Sequence, residues 1–301
     1  MTAPILPQSA PHRPDSAPVP SRPGRLEERL GRFLFYSFGP RLLRGAQIAP
    51  PDELAPFERF AIPRSGGRGE LAAIWYPSPG EARGAVLLAH PWLEWGQAYF
   101  YRRGRIEALR AAGFHVLTFD LSGFGGSAPP DAFWDRDLED ALGALEARAP
   151  GLPLGFWGVS SGGYWGHMLM SRRQPFRAAV FEDVSPHLIE WSWRQAPLGR
   201  PFYLIFRTLL SRAYAYLDLR RHAPHLGVRA AAYVGGGRDP GIPAADHRGL
   251  AERARAELLL VPPAGHLAAI KLANPEVLAL ALATLERGMG EGPAAPPEPE
   301  T

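Results

Sequence analysis

The sequence contains no cysteine and a single lysine, Lys271, among its 301 residues. The absence of cysteine excludes disulfide bonds, thiolate metal ligands and a cysteine nucleophile. Nearly all of the positive charge is therefore arginine, and the acidic residues balance it to a formal net charge of +3. No basic block with interleaved aromatic residues occurs, so we do not expect nucleic-acid binding.

Long apolar runs are also missing. No stretch of about 18 apolar residues occurs, so the sequence predicts no membrane-spanning helix. The proline-rich start lacks the continuous apolar region of a signal peptide, and we expect a cytoplasmic protein. Proline removes backbone donors, and these ends have little apolar surface to bury, so residues 1–24 and 288–301 are predicted to be disordered.

Residues 25–50 are predicted to form an amphipathic helical segment. Between Leu26 and Leu43, helical spacing places five large apolar side chains on one face: Leu26, Leu30, Phe33, Leu34 and Phe38. The favoured interpretation is that this face packs against the rest of the protein. Peripheral contact of segment 26–43 with a membrane surface is the alternative.

From residue 51 to 287 short apolar runs alternate with helical patterns. This alternation predicts an α/β fold, a doubly wound and mostly parallel sheet of the eight-stranded type with right-handed crossovers. The predicted strands are Phe57–Ile62, Leu71–Tyr76, Ala85–Ala89, Phe114–Phe119, Leu154–Val159, Ala178–Val184, Arg229–Val234 and Leu258–Val261. Between 185 and 228 the strand pattern stops and aromatic residues are dense, which indicates a helical insertion over the sheet edge.

The stretch 152–170, LPLGFWGVSSGGYWGHMLM, combines an apolar strand, a Gly-Val-Ser-Ser-Gly turn at 158–162 and a helix-forming run. A serine held on such a sharp turn requires glycine two residues before and two residues after it, because Cβ atoms there would make strand and helix collide. Only Ser160 fits this register, since a turn centred on Ser161 would need glycine in place of Val159. The same pattern also occurs as an ordinary turn, so its partners decide the interpretation.

Four polar residues are predicted to follow strands: His90, Ser160, Asp239 and His266. In a parallel sheet, ligands collect at the carboxyl ends of the strands. A serine hydroxyl becomes a good nucleophile when an imidazole removes its proton and a carboxylate orients that imidazole. Ser160, Asp239 and His266 supply these three groups in the order Ser–Asp–His.

Five motifs extend this pattern across residues 57–287: HPW at 90–92, DLSGFGGS at 120–127, GVSSG at 158–162, GGRDPGIP at 236–243 and AGH at 264–266. Together they closely resemble the α/β-hydrolase superfamily, in the branch with a small helical cap. The resemblance implies that Ser160 is the nucleophile, His266 the general base and then acid, and Asp239 the orienting acid. It also implies that the amide of Ser161 supplies one oxyanion donor.

The sequence departs from the family pattern at two places. Pro91 replaces the usual glycine after His90 and has no amide, so the second oxyanion donor is predicted to be Trp92, with Leu93 the less favoured choice. Ser122 stands where the family usually has arginine. If Asp239 only begins a turn before Pro240, the acid would be Glu182 or Asp183, at the end of the preceding strand.

The predicted substrate-binding residues are His90, Trp92, Trp191 and Trp193, although packing alone explains the tryptophans about as well. His90 is expected to shape the oxyanion loop rather than transfer protons. His222 and His225 are interpreted as part of a solvated surface rather than a metal site. No metal or organic cofactor is needed.

These residues predict a serine hydrolase that cleaves a carboxylic ester or related acyl bond of an apolar small molecule through an acyl-enzyme. The same triad also serves acyl transfer and the cleavage of C–C or peptide bonds, which remain alternatives. A non-catalytic binding protein with this fold is the alternative outside the enzymes.

Overall fold

The computed structural model describes residues 18–30, 54–65, 69–92, 95–129, 134–195 and 199–290. Eight strands form one sheet, in the order β1-β2-β4-β3-β5-β6-β7-β8. Their bounds are β1 Glu58–Pro63, β2 Glu70–Tyr76, β3 Gly84–Ala89, β4 Phe114–Phe119, β5 Leu154–Val159, β6 Phe176–Glu182, β7 Ala230–Gly236 and β8 Glu257–Val261. β1 and β2 run antiparallel to their neighbours and all other pairs are parallel. The predicted doubly wound, mostly parallel sheet is confirmed.

Helices cover both faces of this sheet. In chain order they are α1 at 25–30, α2 Ala98–Tyr101, α3 Arg105–Ala111, α4 Asp135–Arg148, α5 Ser161–Arg172, α6 Leu188–Gln195, α7 Gly199–Thr208, α8 Ser211–Tyr216, α9 Leu219–His222, α10 Ala244–Ala254, α11 Ala269–Leu272 and α12 Asn274–Met289. Alternate side chains of β3 enter opposite cores, with Leu87 packing on one face and Val86 and Leu88 on the other. A strand buried on both faces explains the continuous apolar run from Ala85 to Ala89.

The sequence pattern predicts helices from Tyr101 to Ala112 and from Leu267 to Arg287, and the structure interrupts both. The helix expected from Tyr101 to Ala112 is interrupted at Gly104, which adopts a φ of 66° before α3 begins. The helix expected from Leu267 to Arg287 breaks before Asn274, because Pro275 in the first turn of α12 has no amide with which to continue α11.

Helices α6 to α9 and a short 3₁₀ helix, Ala223–His225, lie between β6 and β7. Among the described residues of the segment 185–228 there is no strand, apart from one isolated bridge between His187 and Asp218. We call α6 to α9 the inserted helices.

Residues 18–24 belong to the segment predicted to be disordered, yet they make specific contacts. The Arg22 guanidinium lies 3.0 Å from Asp135 and 2.7 Å from Glu139 on α4. On α1, Glu27 accepts a 2.9 Å hydrogen bond from the amide of Ala213.

Residues 31–50 of the predicted amphipathic segment lie outside the described residues. Within the described ranges, no helix combines the length and the apolar character needed to cross a membrane.

Candidate active site

The backbone of Ser160 is strained. Its φ of 47° and ψ of −114° lie outside the regions that L-residues ordinarily adopt. A Cβ atom at Gly158 would lie 2.5 Å from the Cα of Gly163, and one at Gly162 would lie 2.2 Å from the carbonyl oxygen of Ala89. Both glycines are therefore required by close approach, and they allow β5 to turn directly into α5 with Ser160 at the apex.

The structure brings Ser160, His266 and Asp239 together, although they come from three separate loops. The Ser160 Oγ lies 3.1 Å from Nε2 of His266. On the other side of the ring, Nδ1 of His266 lies 2.8 Å from Oδ2 of Asp239. The carboxylate accepts the Nδ1 proton, so Nε2 is left as the acceptor that faces the serine hydroxyl.

Asp239 is held in place by its other oxygen. Oδ1 accepts hydrogen bonds from the amides of Gly241 at 2.8 Å and Ile242 at 3.1 Å. Burial alone would raise the pKa of Asp239, but the bond to His266, its charge and these two amides hold the pKa below its usual value. The carboxylate therefore stays ionised, as an orienting acid requires.

The electrostatics of His266 follow from the same contacts. Burial alone would lower the pKa of the imidazole, but the hydrogen bond to Asp239 and the nearby charges of Asp183 and Asp239 raise it above its ordinary value. An imidazolium at this position is thus stabilised, which favours transfer of a proton from Ser160 to His266.

A second carboxylate, Asp183, lies beside this histidine. It is 1% exposed and its φ is 48°. Its Oδ2 accepts the amide of Leu267 at 2.8 Å and its Oδ1 accepts the amide of Gly236 at 3.1 Å. Burial raises the pKa of Asp183 to about 7, against the lowering effect of His266. Asp239, rather than Asp183, makes the hydrogen bond to the ring.

Glu182 is occupied elsewhere. Its carboxylate pairs with the fully buried Arg105 and accepts a 2.6 Å hydrogen bond from the indole of Trp157. The alternative acids suggested by the sequence therefore do not contact Nδ1 of His266.

The start of α5 and the loop after β3 lie next to Ser160. Ser161 is the first residue of α5, so its amide is one of the first-turn donors without an intrahelical acceptor. The amide of Gly162 donates to the carbonyl of His90 at 3.1 Å, which holds the His90–Trp92 loop against the helix start. Ser161 and Trp92 both line the cavity around Ser160. Leu93 lies outside the described residues.

This cavity encloses about 330 Å³ together with its open mouth. It is lined by Trp92, Ser160, Ser161, Tyr164, Ser185, Leu188, Trp191 and Ile242. The ring of Trp191 lies 6.3 Å from the His266 ring, centroid to centroid. Apart from the serines and the Tyr164 hydroxyl, which donates to the Leu217 carbonyl, the lining is apolar.

Sequence reasoning missed four of the lining residues: Tyr164, Ser185, Leu188 and Ile242. Tyr164 had a usable signal, because it lies four residues after Ser160 on a predicted helix and therefore projects from the same face. Ile242 lies three residues after Asp239, within a quoted motif. Leu188 and Ser185 depend on the path of the chain after β6.

Two predicted substrate-binding residues are not in the cavity lining. His90 is fully buried. Both of its ring nitrogens have backbone partners, since Nδ1 bonds the Pro91 carbonyl at 2.8 Å and Nε2 accepts the Leu121 amide at 2.9 Å. It shapes the loop instead. Trp193 stacks on Tyr203 at 4.9 Å and is 40% exposed.

The interpretation of His222 as a solvated residue is wrong. Its ring is fully buried and bonds the Ser171 hydroxyl at 2.7 Å and the Tyr216 carbonyl at 2.8 Å.

Among the described residues, one cluster has donor atoms close enough to hold a metal ion: Asp183, Asp239 and His266. Their atoms are already engaged with one another and with backbone amides, so this arrangement suits proton transfer better than coordination.

The sheet carries a strained serine after β5, an acid after β7 and a histidine after β8. Together these features define an α/β-hydrolase. The chain belongs to the serine aminopeptidase S33 family, whose model matches residues 80–256. It is therefore a member of a hydrolase family.

Solved structures share the fold at low sequence identity. An esterase from Pyrococcus furiosus is 19% identical with a TM-score of 0.68, covering 82% of this chain and 99% of the esterase. A thermostable carboxyl esterase from Bacillus coagulans is 13% identical with a TM-score of 0.63, covering 77% and 99%. An acylaminoacyl peptidase from Pyrococcus horikoshii is 13% identical with a TM-score of 0.62, covering 81% of this chain and 44% of the peptidase. A comparison with curated proteins gives no match.

Proposed function

We propose that this protein is a serine hydrolase that cleaves a carboxylic ester, or a related acyl bond, of an apolar small molecule through an acyl-enzyme. The observation that carries the proposal is the continuous hydrogen-bonded chain from the Ser160 hydroxyl through His266 to Asp239. A base within 3.1 Å of the nucleophile and an acid behind that base are the two requirements for activating a serine hydroxyl.

In the proposed reaction, Ser160 Oγ attacks the carbonyl carbon as Nε2 of His266 takes its proton. The amides of Ser161 and Trp92 donate to the oxyanion that forms. His266 then returns the proton to the leaving alcohol, which breaks the C–O bond and leaves the acyl-enzyme. Water enters, gives a proton to His266 and attacks the acyl carbon, and the acid departs as Ser160 regains its proton.

The lining of the cavity supports an apolar acyl or aryl group as the substrate. Trp92, Leu188, Trp191 and Ile242 offer dispersion contacts and no charge. An aminopeptidase must also bind the charged amino terminus of its substrate. Among the residues that the structure describes around this cavity, no carboxylate contributes to the lining, so we favour an ester over a free peptide.

The proposal is tested by hydrolysis of p-nitrophenyl esters of rising chain length, alongside aminoacyl p-nitroanilides. We expect turnover of esters, little turnover of anilides, and loss of ester turnover in Ser160→Ala and His266→Ala. Turnover of the anilides alone would favour a peptidase. Two results would overturn the hydrolase proposal. The folded protein would hydrolyse neither series, and it would either transfer acyl groups only to an added acceptor or bind ligand without turnover.

A further inference from the structure

Large apolar side chains are strongly exposed at a few places in the described residues. Three of them belong to one part of the chain, between α6 and α8: Trp193 is 40% exposed, Leu204 is 56% exposed and Leu209 is 76% exposed. Scattered exposed leucines are normal in a protein surface, but a concentration of them on neighbouring elements marks an interaction surface.

The exposed face of α7 combines these apolar groups with arginine. Arg200, Leu204 and Arg207 follow one another at spacings of four and three, so they share one face of the helix, and all three are exposed. Phe206 lies on the other side of the helix and is fully buried. The outer face of α7 is therefore basic and apolar at once.

Within this segment of the chain, the charged residues all have one sign. Between Glu190 and Asp218 the sequence has four arginines and no acidic residue. One of the four, Arg194, pairs with Asp246 at 2.5 Å. Arg200, Arg207 and Arg212 form no ion pair with any residue in the described part of the chain, and Arg207 bonds only the Tyr203 hydroxyl there. These three charges are left for a partner of opposite sign.

Helix α6, which packs beside α7, borders the candidate active site. Leu188 and Trp191 of α6 line the cavity around Ser160. Trp193 of α6 stacks on Tyr203 of α7 with an angle of 25° between the rings, which joins the two helices into one unit. A surface bound to the outer side of α7 would consequently lie near the helices that line the cavity.

We propose that α7 and its flanks bind the surface of an anionic lipid bilayer. The docking surface consists of Trp193 on α6 and the Arg200, Leu204 and Arg207 face of α7, together with the exposed Leu209 and Arg212 at the turn from α7 into α8. An interfacial helix inserts its apolar side chains at the headgroup boundary while arginines contact anionic headgroups, and this surface supplies both. A two-fold contact with a second copy would set these unpaired arginines against each other. Nucleic acid would use the arginines but leave the leucines exposed.

The binding test is sedimentation of the full-length protein with vesicles. One set is phosphatidylcholine alone, and the other contains roughly 30% phosphatidylglycerol, an anionic lipid that attracts basic segments. We expect binding to the anionic vesicles and little binding to neutral ones, with a loss at high salt because surface charge is screened. The triple variant Arg200→Gln/Arg207→Gln/Arg212→Gln should bind about a hundredfold more weakly, at about fivefold per arginine.

The apolar contribution is tested by Leu204→Ser/Leu209→Ser, which should weaken binding at least about tenfold. Leu272→Ser is the matched control, because Leu272 is 57% exposed but lies on α11. Arg248→Gln/Arg253→Gln on α10 controls for the loss of charge. Both controls should bind like the parent protein.

Equal binding to neutral and anionic vesicles, or equal loss in the control variants, would overturn the proposal. The proposal would also be overturned if the same substitutions left vesicle binding unchanged but abolished a dimer seen by light scattering or the binding of an oligonucleotide. Sedimentation is repeated with Ser160→Ala, because binding does not require catalysis. Failure of vesicle binding therefore leaves the hydrolase proposal standing, and failure of ester hydrolysis leaves the docking surface standing.

Discussion

The Oδ2 atom of Asp183 accepts the backbone amide of Leu267, the residue directly after His266, at 2.8 Å. Leu267 has a φ of 56°, so the chain turns sharply just past the histidine. Through Gly236, the same carboxylate is also bonded to the end of β7, from which the Asp239 loop departs. Asp183 thereby connects the loops of both partners of Ser160.

We expect Asp183→Asn to lower kcat about 10- to 100-fold, in line with the loss of a group that orients catalytic partners. The side-chain amide of asparagine can accept only one of the two backbone amides, so the His266 loop loses one anchor. Steady-state kinetics with a p-nitrophenyl ester measure the effect, and Asp140→Asn on α4 is the control. An unchanged kcat would mean that Asp239 and the loop itself are sufficient.

Gly162→Ala should abolish ester hydrolysis and destabilise the fold by about 2 to 4 kcal/mol. Its Cβ atom would lie 2.2 Å from the Ala89 carbonyl oxygen, so β3 and α5 would have to separate. Gly143 on α4 is the matched control, since no atom lies within 4 Å of a Cβ placed there. Gly143→Ala should leave stability equal or raise it by up to about 1 kcal/mol. Urea denaturation and ester kinetics distinguish the two variants.

The pH dependence of hydrolysis should follow the protonation of His266. The base must be neutral, so kcat/KM should rise with pH and level off above the pKa of His266, which lies above its ordinary value of about 6.5. Asp239→Asn removes a negative charge beside the ring, so the midpoint should move to lower pH while kcat falls about 10³- to 10⁴-fold. A midpoint that stays in place in this variant would contradict the assignment of Asp239 as the partner of the ring.

Trp191→Ala should shift the preference among esters towards longer acyl groups. The indole occupies cavity space beside His266, and its removal enlarges the apolar site while it removes contacts that hold short chains. The ratio of kcat/KM values for long and short esters measures this shift. Trp193→Ala is the control, because Trp193 stacks on Tyr203 outside the cavity lining and should leave the ratio unchanged.

Much of the fold could be predicted because the local patterns agree with the tertiary structure. The strands at 114–119 and 154–159 have the same bounds in sequence pattern and structure, since apolar runs buried on both faces end where polar turn residues begin. Topology also predicts the proximity of Ser160, Asp239 and His266, because parallel strands place their carboxyl ends along one edge.

What the sequence pattern could not show is how helices are rotated and where loops cross. The strand predicted from Ala178 to Val184 ends at Glu182, because Asp183 adopts a positive φ that no apolar pattern indicates. The same turn directs Asp183 towards the Leu267 amide. Trp191 and Trp193 look alike in sequence, yet one lines the cavity and the other is exposed, because the rotation of α6 places them on different sides.

The central claim is that Ser160 is a nucleophile activated by His266. It is tested most directly by reaction with a fluorophosphonate probe, followed by mass spectrometry of the labelled peptide. We expect a single adduct on Ser160, slow labelling in His266→Ala, and no adduct in Ser160→Ala. Labelling at Ser160 should persist in Ser185→Ala, which removes another hydroxyl from the same cavity. A folded protein that stays unlabelled, or an adduct that remains when Ser160 is replaced, would contradict the account.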